Sequence, residues 1–121
     1  DFMMVPMQKR ERDRYYQEHF AQLRGYSAVF AASDYYAVDL IRFLQSSGVK
    51  VPDDISVVGF DDSAICEQIV PSLTSVRQDY RARARMAIRL LKRMREQPDY
   101  TGDFTIPVRL VERSSSGRLC L

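Results

Sequence analysis

Two short apolar runs, Ala28 to Ala32 (AVFAA) and Ile55 to Phe60 (ISVVGF), flank a segment, Tyr35 to Ser47, whose apolar residues recur at helical spacing. Runs this short and this apolar suit strands covered on both faces of a sheet. A strand, a helix and a strand joined so closely form a βαβ unit, which imposes parallel pairing and a right-handed crossover. Ser33 and Asp34 offer N-cap oxygens at the helix start. Gly48 supplies its stop, and Val51-Pro52-Asp53-Asp54 reads as a turn into the second strand. The fold class is therefore α/β around a parallel sheet.

The remaining chain extends this unit on both sides. Phe2 to Val5 is a short apolar run ending at Pro6, expected as a strand. Gln8 to Arg24 lacks Gly and Pro and places Tyr16, Phe20 and Leu23 on one stripe, which predicts a single helix stopped by Gly25. Ser63 to Val70 is expected as a short helix closed by Pro71, with Leu73 to Arg77 as a third strand. Tyr80 to Gln97 reads as a long helix with Ala84, Ala87, Ile88, Leu91 and Met94 on one side. Phe104 to Glu112 alternates Ile106, Val108 and Leu110 as a strand interrupted by Pro107. Residues 114 to 121 are expected to be a loose tail.

The chain has 121 residues, 45% apolar and 28% charged, which fits one globular domain. A net charge of +2 is too small to argue for nucleic acid, and the arginine clusters at Arg10 to Arg14 and Arg81 to Arg95 read as solvated helix faces. Cys66 and Cys120 have neither metal-ligand spacing nor a disulfide framework, so a reducing, cytoplasmic setting is expected. No apolar run is long enough to span a membrane, and DFMMVPM is not a signal peptide. That opening reads as a start inside a larger protein.

Three strand ends carry polar groups: Ser33-Asp34, Asp61-Asp62 and Gln78-Asp79. In an open α/β sheet the ligand crevice lies outside the carboxyl ends of the strands, so these groups should converge on one rim. Carboxylates accept and an amide both donates and accepts, a set suited to a ligand rich in hydroxyl or N–H groups. Asp34 and Asp62 are each expected as helix caps, which leaves Asp61 as the first candidate ligand contact. Catalysis has little to work with. His19, the single histidine, lies in a charged helical stretch, and no phosphate-cradling glycine loop is present. A carboxylate pair could hold Mg²⁺ in a phosphoryl-accepting domain, but that scheme wants a lysine at another strand end, and none is placed there.

The residues SAVFAASDYYAVDLIRFLQSSGVKVPDDISVVGFDDSAICEQIVPSLTSVRQD resemble the effector-binding domain of the LacI/GalR family of bacterial transcription regulators, and IPVRLVERSSS resembles that family's closing strand. The likeness runs from Tyr26 to Ser116. It implies a parallel-sheet sandwich, the C-terminal lobe of a type I periplasmic-binding-protein-like fold, with an effector held between two lobes. It also implies that Asp61 and Gln78 contact sugar hydroxyls and that Tyr80 packs near the pocket. Ser33 stands where asparagine is usual, and Met7 lies near the place of a ring-stacking aromatic.

The resemblance further implies a non-enzymatic, cytoplasmic effector-sensing and dimerisation region, with no cofactor, metal or membrane partner. The expected effector is a sugar or a nucleobase-like molecule. Operator DNA would be reached only through a helix-turn-helix upstream of Asp1. A homodimer contact is expected on the Tyr35–Ser47 helix and on Ile65 to Ile69, through Val38, Ile41, Arg42, Ile65 and Ile69. Residues 80–107 would pack on a first lobe upstream of this chain, and without it the fragment is expected to self-associate. The alternative is a solute-binding protein of a sugar transporter, which shares the fold.

Overall fold

The computed structural model describes residues 1–118. The elements follow the chain as α1 (Lys9–Glu18), α2 (Phe20–Leu23), β1 (Ala28–Phe30), α3 (Asp34–Ser46), β2 (Ser56–Asp61), α4 (Ile65–Gln68), β3 (Thr74–Arg77), α5 (Tyr80–Glu96) and β4 (Arg109–Val111). The sheet order is β1-β2-β3-β4. β1, β2 and β3 run parallel, with Val29 opposite Val57 and Gly59 opposite Ser75. β4 returns antiparallel beside β3. The βαβ unit is thus present, with α3 packed on β2.

The core lies on one face of the sheet. Val57 and Leu73 meet Ala37, Val38, Ile41 and Leu44 of α3, with Tyr16 and Leu23 beneath them. Burial alternates along β2, so the expectation of strands covered on both faces is corrected. Phe30 is 61% exposed, and its ring meets that of Phe60 edge to face at a centroid distance of 6.2 Å. Apolar composition could not distinguish a doubly covered strand from one whose second face is left open within this chain.

Other departures have local causes. Phe2 to Val5 forms no strand, although Met3 and Val5 pack against the core. The first helix breaks at His19, whose backbone leaves the helical region and whose ring Nδ1 lies 2.9 Å from the Tyr15 carbonyl. The Ser63 to Val70 helix contracts to α4. Only the part of the Phe104 to Glu112 strand beyond Pro107 pairs. Gly48 ends α3 with φ +78°, a conformation open to glycine at no steric cost.

The tail expected to be loose is docked from Ser114 to Gly117. Ser115 is fully buried between β2 and β3. Its carbonyl accepts the Val57 N–H at 2.8 Å and its hydroxyl donates to the Val57 carbonyl at 2.5 Å. The same hydroxyl accepts the Thr74 N–H at 2.9 Å. Backbone groups of two strands that would otherwise be buried without partners fix this segment. Cys120 and the last residues of the expected tail lie outside the described residues. α5 contrasts with all of this: none of its residues is buried.

Candidate functional site

β2 delivers Asp61 and Asp62 to the carboxyl end of the sheet with unusual backbone. Asp61 has φ +111° and Asp62 φ +53°. The second value is one an aspartate tolerates. The first lies outside the small left-handed region and persists only where the surroundings hold it. Those surroundings can be read off the contacts. The Asp62 N–H donates to Ser75 Oγ at 3.0 Å, and Ser75 Oγ donates to Asp34 Oδ1 at 2.5 Å. Asp34 Oδ2 accepts both the N–H and the hydroxyl of Ser63, at 2.7 and 2.8 Å. Asp34 therefore ties the start of α3 to β3 and to the chain after β2. The cap of α3 is Ser33, whose Oγ accepts the Tyr35 N–H at 3.2 Å.

The sequence predicts a helix cap at Asp62, but its carboxylate instead pairs with two arginines. It is 2% exposed and faces two guanidiniums. Arg113 Nη1 lies 2.7 Å from Oδ1, and Arg77 Nε bonds Oδ2. Burial pushes this carboxyl up, and the hydrogen bonds and charges of Arg113 and Arg77 outweigh it, holding Asp62 below the usual carboxylate range. Arg113 also donates to the Leu73 carbonyl at 2.9 Å and reaches Glu67 of α4 at 3.3 Å. A charged bond to β3 and another to the segment after β4 thus clamp the residue beside Asp61. The missed member is Arg113, far away in sequence; its signal lay in the closing LVER segment.

With Asp62 clamped, Asp61 presents its carboxylate outward. Oδ1 accepts Gln78 Nε2 at 2.9 Å and the Tyr80 hydroxyl at 2.8 Å. Gln78 Oε1 in turn accepts from Arg83 at 3.0 Å. Partial burial, together with the Asp61 carboxylate that takes its hydrogen bond, pushes the Tyr80 phenol above its ordinary value. Asp61, Gln78 and Tyr80 therefore form one connected acceptor-donor set, with Asp61 and Gln78 half-buried and Tyr80 exposed. Ser33 is occupied as a cap, and Met7, 85% exposed, stays outside the set. Among the described residues no group of three His, Cys, Asp or Glu side chains could hold a metal ion.

The expected contact surface on α3 is corrected. Val38 and Ile41 are 1% and 0% exposed and belong to this chain's own core, and Ile69 is buried as well. Arg42 is exposed and Ile65 half-buried, so only these two retain surface to offer a partner. An amphipathic stripe wider than one face reads alike whether it meets a sheet or a second subunit.

Residues 4–116 match the model of the periplasmic binding protein-like domain. The chain belongs to that family, in its LacI/GalR branch. Among curated relatives it is similar to the HTH-type transcriptional regulator CelR of Thermobifida fusca, 45% identical over 69% of this chain and 23% of the relative. It is also similar to the lactose operon repressor of Escherichia coli (strain K12), 32% identical over 74% of this chain and 25% of the relative. Among solved structures, a CelR–cellobiose complex aligns with a TM-score of 0.76 at 32% identity, over 93% of this chain and 35% of the other. A LacI family regulator from Enterococcus faecium with bound ribose aligns with a TM-score of 0.71 at 30% identity, over 95% of this chain and 42% of the other. The chain thus spans about a quarter of the length of these curated relatives.

Proposed function

We propose that this chain is the effector-sensing and dimerisation region of a LacI-type DNA-binding transcription regulator and performs no catalysis. The observation that carries the reading is Asp61. Its backbone is held at a costly φ while its carboxylate, Gln78 and Tyr80 form one set at the carboxyl ends of parallel strands. That set both donates and accepts, as a hydroxyl-rich ligand requires. The bound cellobiose and ribose in two similar structures support a sugar as the first class to try. Ligand would favour one lobe arrangement over another and so shift how DNA-binding heads upstream are placed. The homodimer contact is assigned to the exposed part of α3 and to α4, with Arg42 and Ile65 at its edge.

A thermal-shift screen of sugars and nucleobases on the full-length protein tests this reading. An Asp61→Ala variant should bind the stabilising compound roughly tenfold to a hundredfold more weakly, the worth of a hydrogen bond to a charged acceptor. Equal affinity in that variant would assign the contact elsewhere.

A further inference from the structure

β3 and β4 pair antiparallel, and their register sets Arg77 directly opposite Arg109. Like charges in directly opposed positions destabilise a strand pair, so this pairing needs a reason. Arg77 is partly neutralised by Asp62. Arg109 has no carboxylate within ion-pair distance among the described residues, and neither has Arg81. All three arginines are among the residues that line one open groove of about 590 Å³, together with Gln78, Asp79, Tyr80, Pro107 and Val108. The one carboxylate lining it, Asp79, caps α5 by accepting the Ala82 N–H at 2.8 Å and makes no ion pair with the three arginines. The volume lies within the range of small-molecule sites. Two of its residues, Gln78 and Tyr80, are those bonded to Asp61, so the groove continues the rim.

We propose that this groove is an oxyanion subsite, taking a phosphoryl or carboxylate group through Arg81 and Arg109, with Arg77 as a third, shared charge. The planar guanidinium fork matches such a group bidentately. An anion seated there relieves the repulsion between Arg77 and Arg109, so the cost present in the empty protein becomes binding energy. Extending the effector reading, on which this part rests, the same ligand would carry hydroxyls to Asp61 and its anionic group to the arginines.

The test is isothermal titration of the full-length protein at constant ionic strength with inorganic phosphate, glucose-6-phosphate, glucuronate and glucose. Variants are Arg81→Gln and Arg109→Gln, both at exposed positions, and Asp61→Ala. At least one of the three anions binds, and each arginine variant weakens it roughly tenfold or more. Inorganic phosphate binding separates a free anion from one borne by a sugar. Arg109→Gln also raises the melting temperature of the ligand-free protein, since the like-charge pairing is gone. Failure of all three anions to bind overturns the subsite, as does binding within twofold of wild type in the two arginine variants combined. If anions depend on the arginines but no ligand depends on Asp61, the subsite stands and the Asp61 reading fails. If glucose binds through Asp61 and the anions do not bind, the reverse holds.

Discussion

At the scale of single residues the rim is held by close approach and charge. Gly59 lies where a Cβ would collide with Asp34 Oδ1 and come within 2.9 Å of Leu73 Cδ2. Asp34 cannot yield, because its carboxylate already accepts three hydrogen bonds. Gly59→Ala is therefore expected to destabilise the protein by about 1–3 kcal/mol, read as a lowered midpoint in urea unfolding. Asp62 gives a prediction in pH. Its folded pKa lies below the ordinary value, so the stability it contributes is present above about pH 4 and is lost as pH falls through the lower folded value. Asp62→Asn should lose stability at neutral pH and show a shallower decline below pH 4 than wild type in thermal melts. Matching pH profiles for the two proteins would contradict the clamp.

At the scale of elements, α1 is fastened to α3 by a charge pair that is mostly withdrawn from solvent. Arg12 bonds Asp39, donates to the carbonyls of Pro6 and Met7 at 3.0 and 2.8 Å, and lies 4.8 Å from the Tyr36 ring centroid. Removing one partner leaves the other largely desolvated and without its counter-charge. Asp39→Leu alone should cost about 3–5 kcal/mol, and Arg12→Met with Asp39→Leu should recover much of that. A double-mutant cycle by denaturant unfolding checks this, and additive losses would show that the pair is not coupled. The helices differ in how they are held. α3 closes over the sheet on Ala37, Val38, Ile41 and Leu44, whereas α5 keeps Ile88 and Leu91 more than half exposed.

For the whole molecule, this chain leaves two apolar surfaces without cover. One is the α5 face at Ala84, Ile88 and Leu91; the other is the sheet face at Phe30 and Leu110. Burying a large apolar side chain is worth about 1.5–3 kcal/mol, so the isolated chain is expected to associate with itself. Sedimentation of residues 1–121 should show concentration-dependent species above monomer mass, reduced by Leu91→Glu. A compact monomer at all concentrations would refute the expectation. Among the described residues, no helix is long and apolar enough to cross a membrane.

The βαβ unit, the order of elements from β1 to β4 and the polar strand ends were legible because they rest on periodicity, glycine and proline placement and local motifs, whereas the opening strand and the unbroken first helix were not. Asp61 and Gln78 were legible as candidates from the strand ends and Tyr80 from the resemblance, but the hydrogen bonds that join them were not. What sequence could not decide depends on contacts between distant segments. Asp62 became a buried anchor because Arg113 arrives beside it from the end of the chain. Ser115 became core because two strands offered it unpaired backbone groups. Val38 and Ile41 turned inward because their stripe met the sheet. Local residue pattern determined the βαβ unit and placed the polar groups at the strand ends. Tertiary structure alone decided which face is buried and which charges meet, since both depend on segments that only folding brings together.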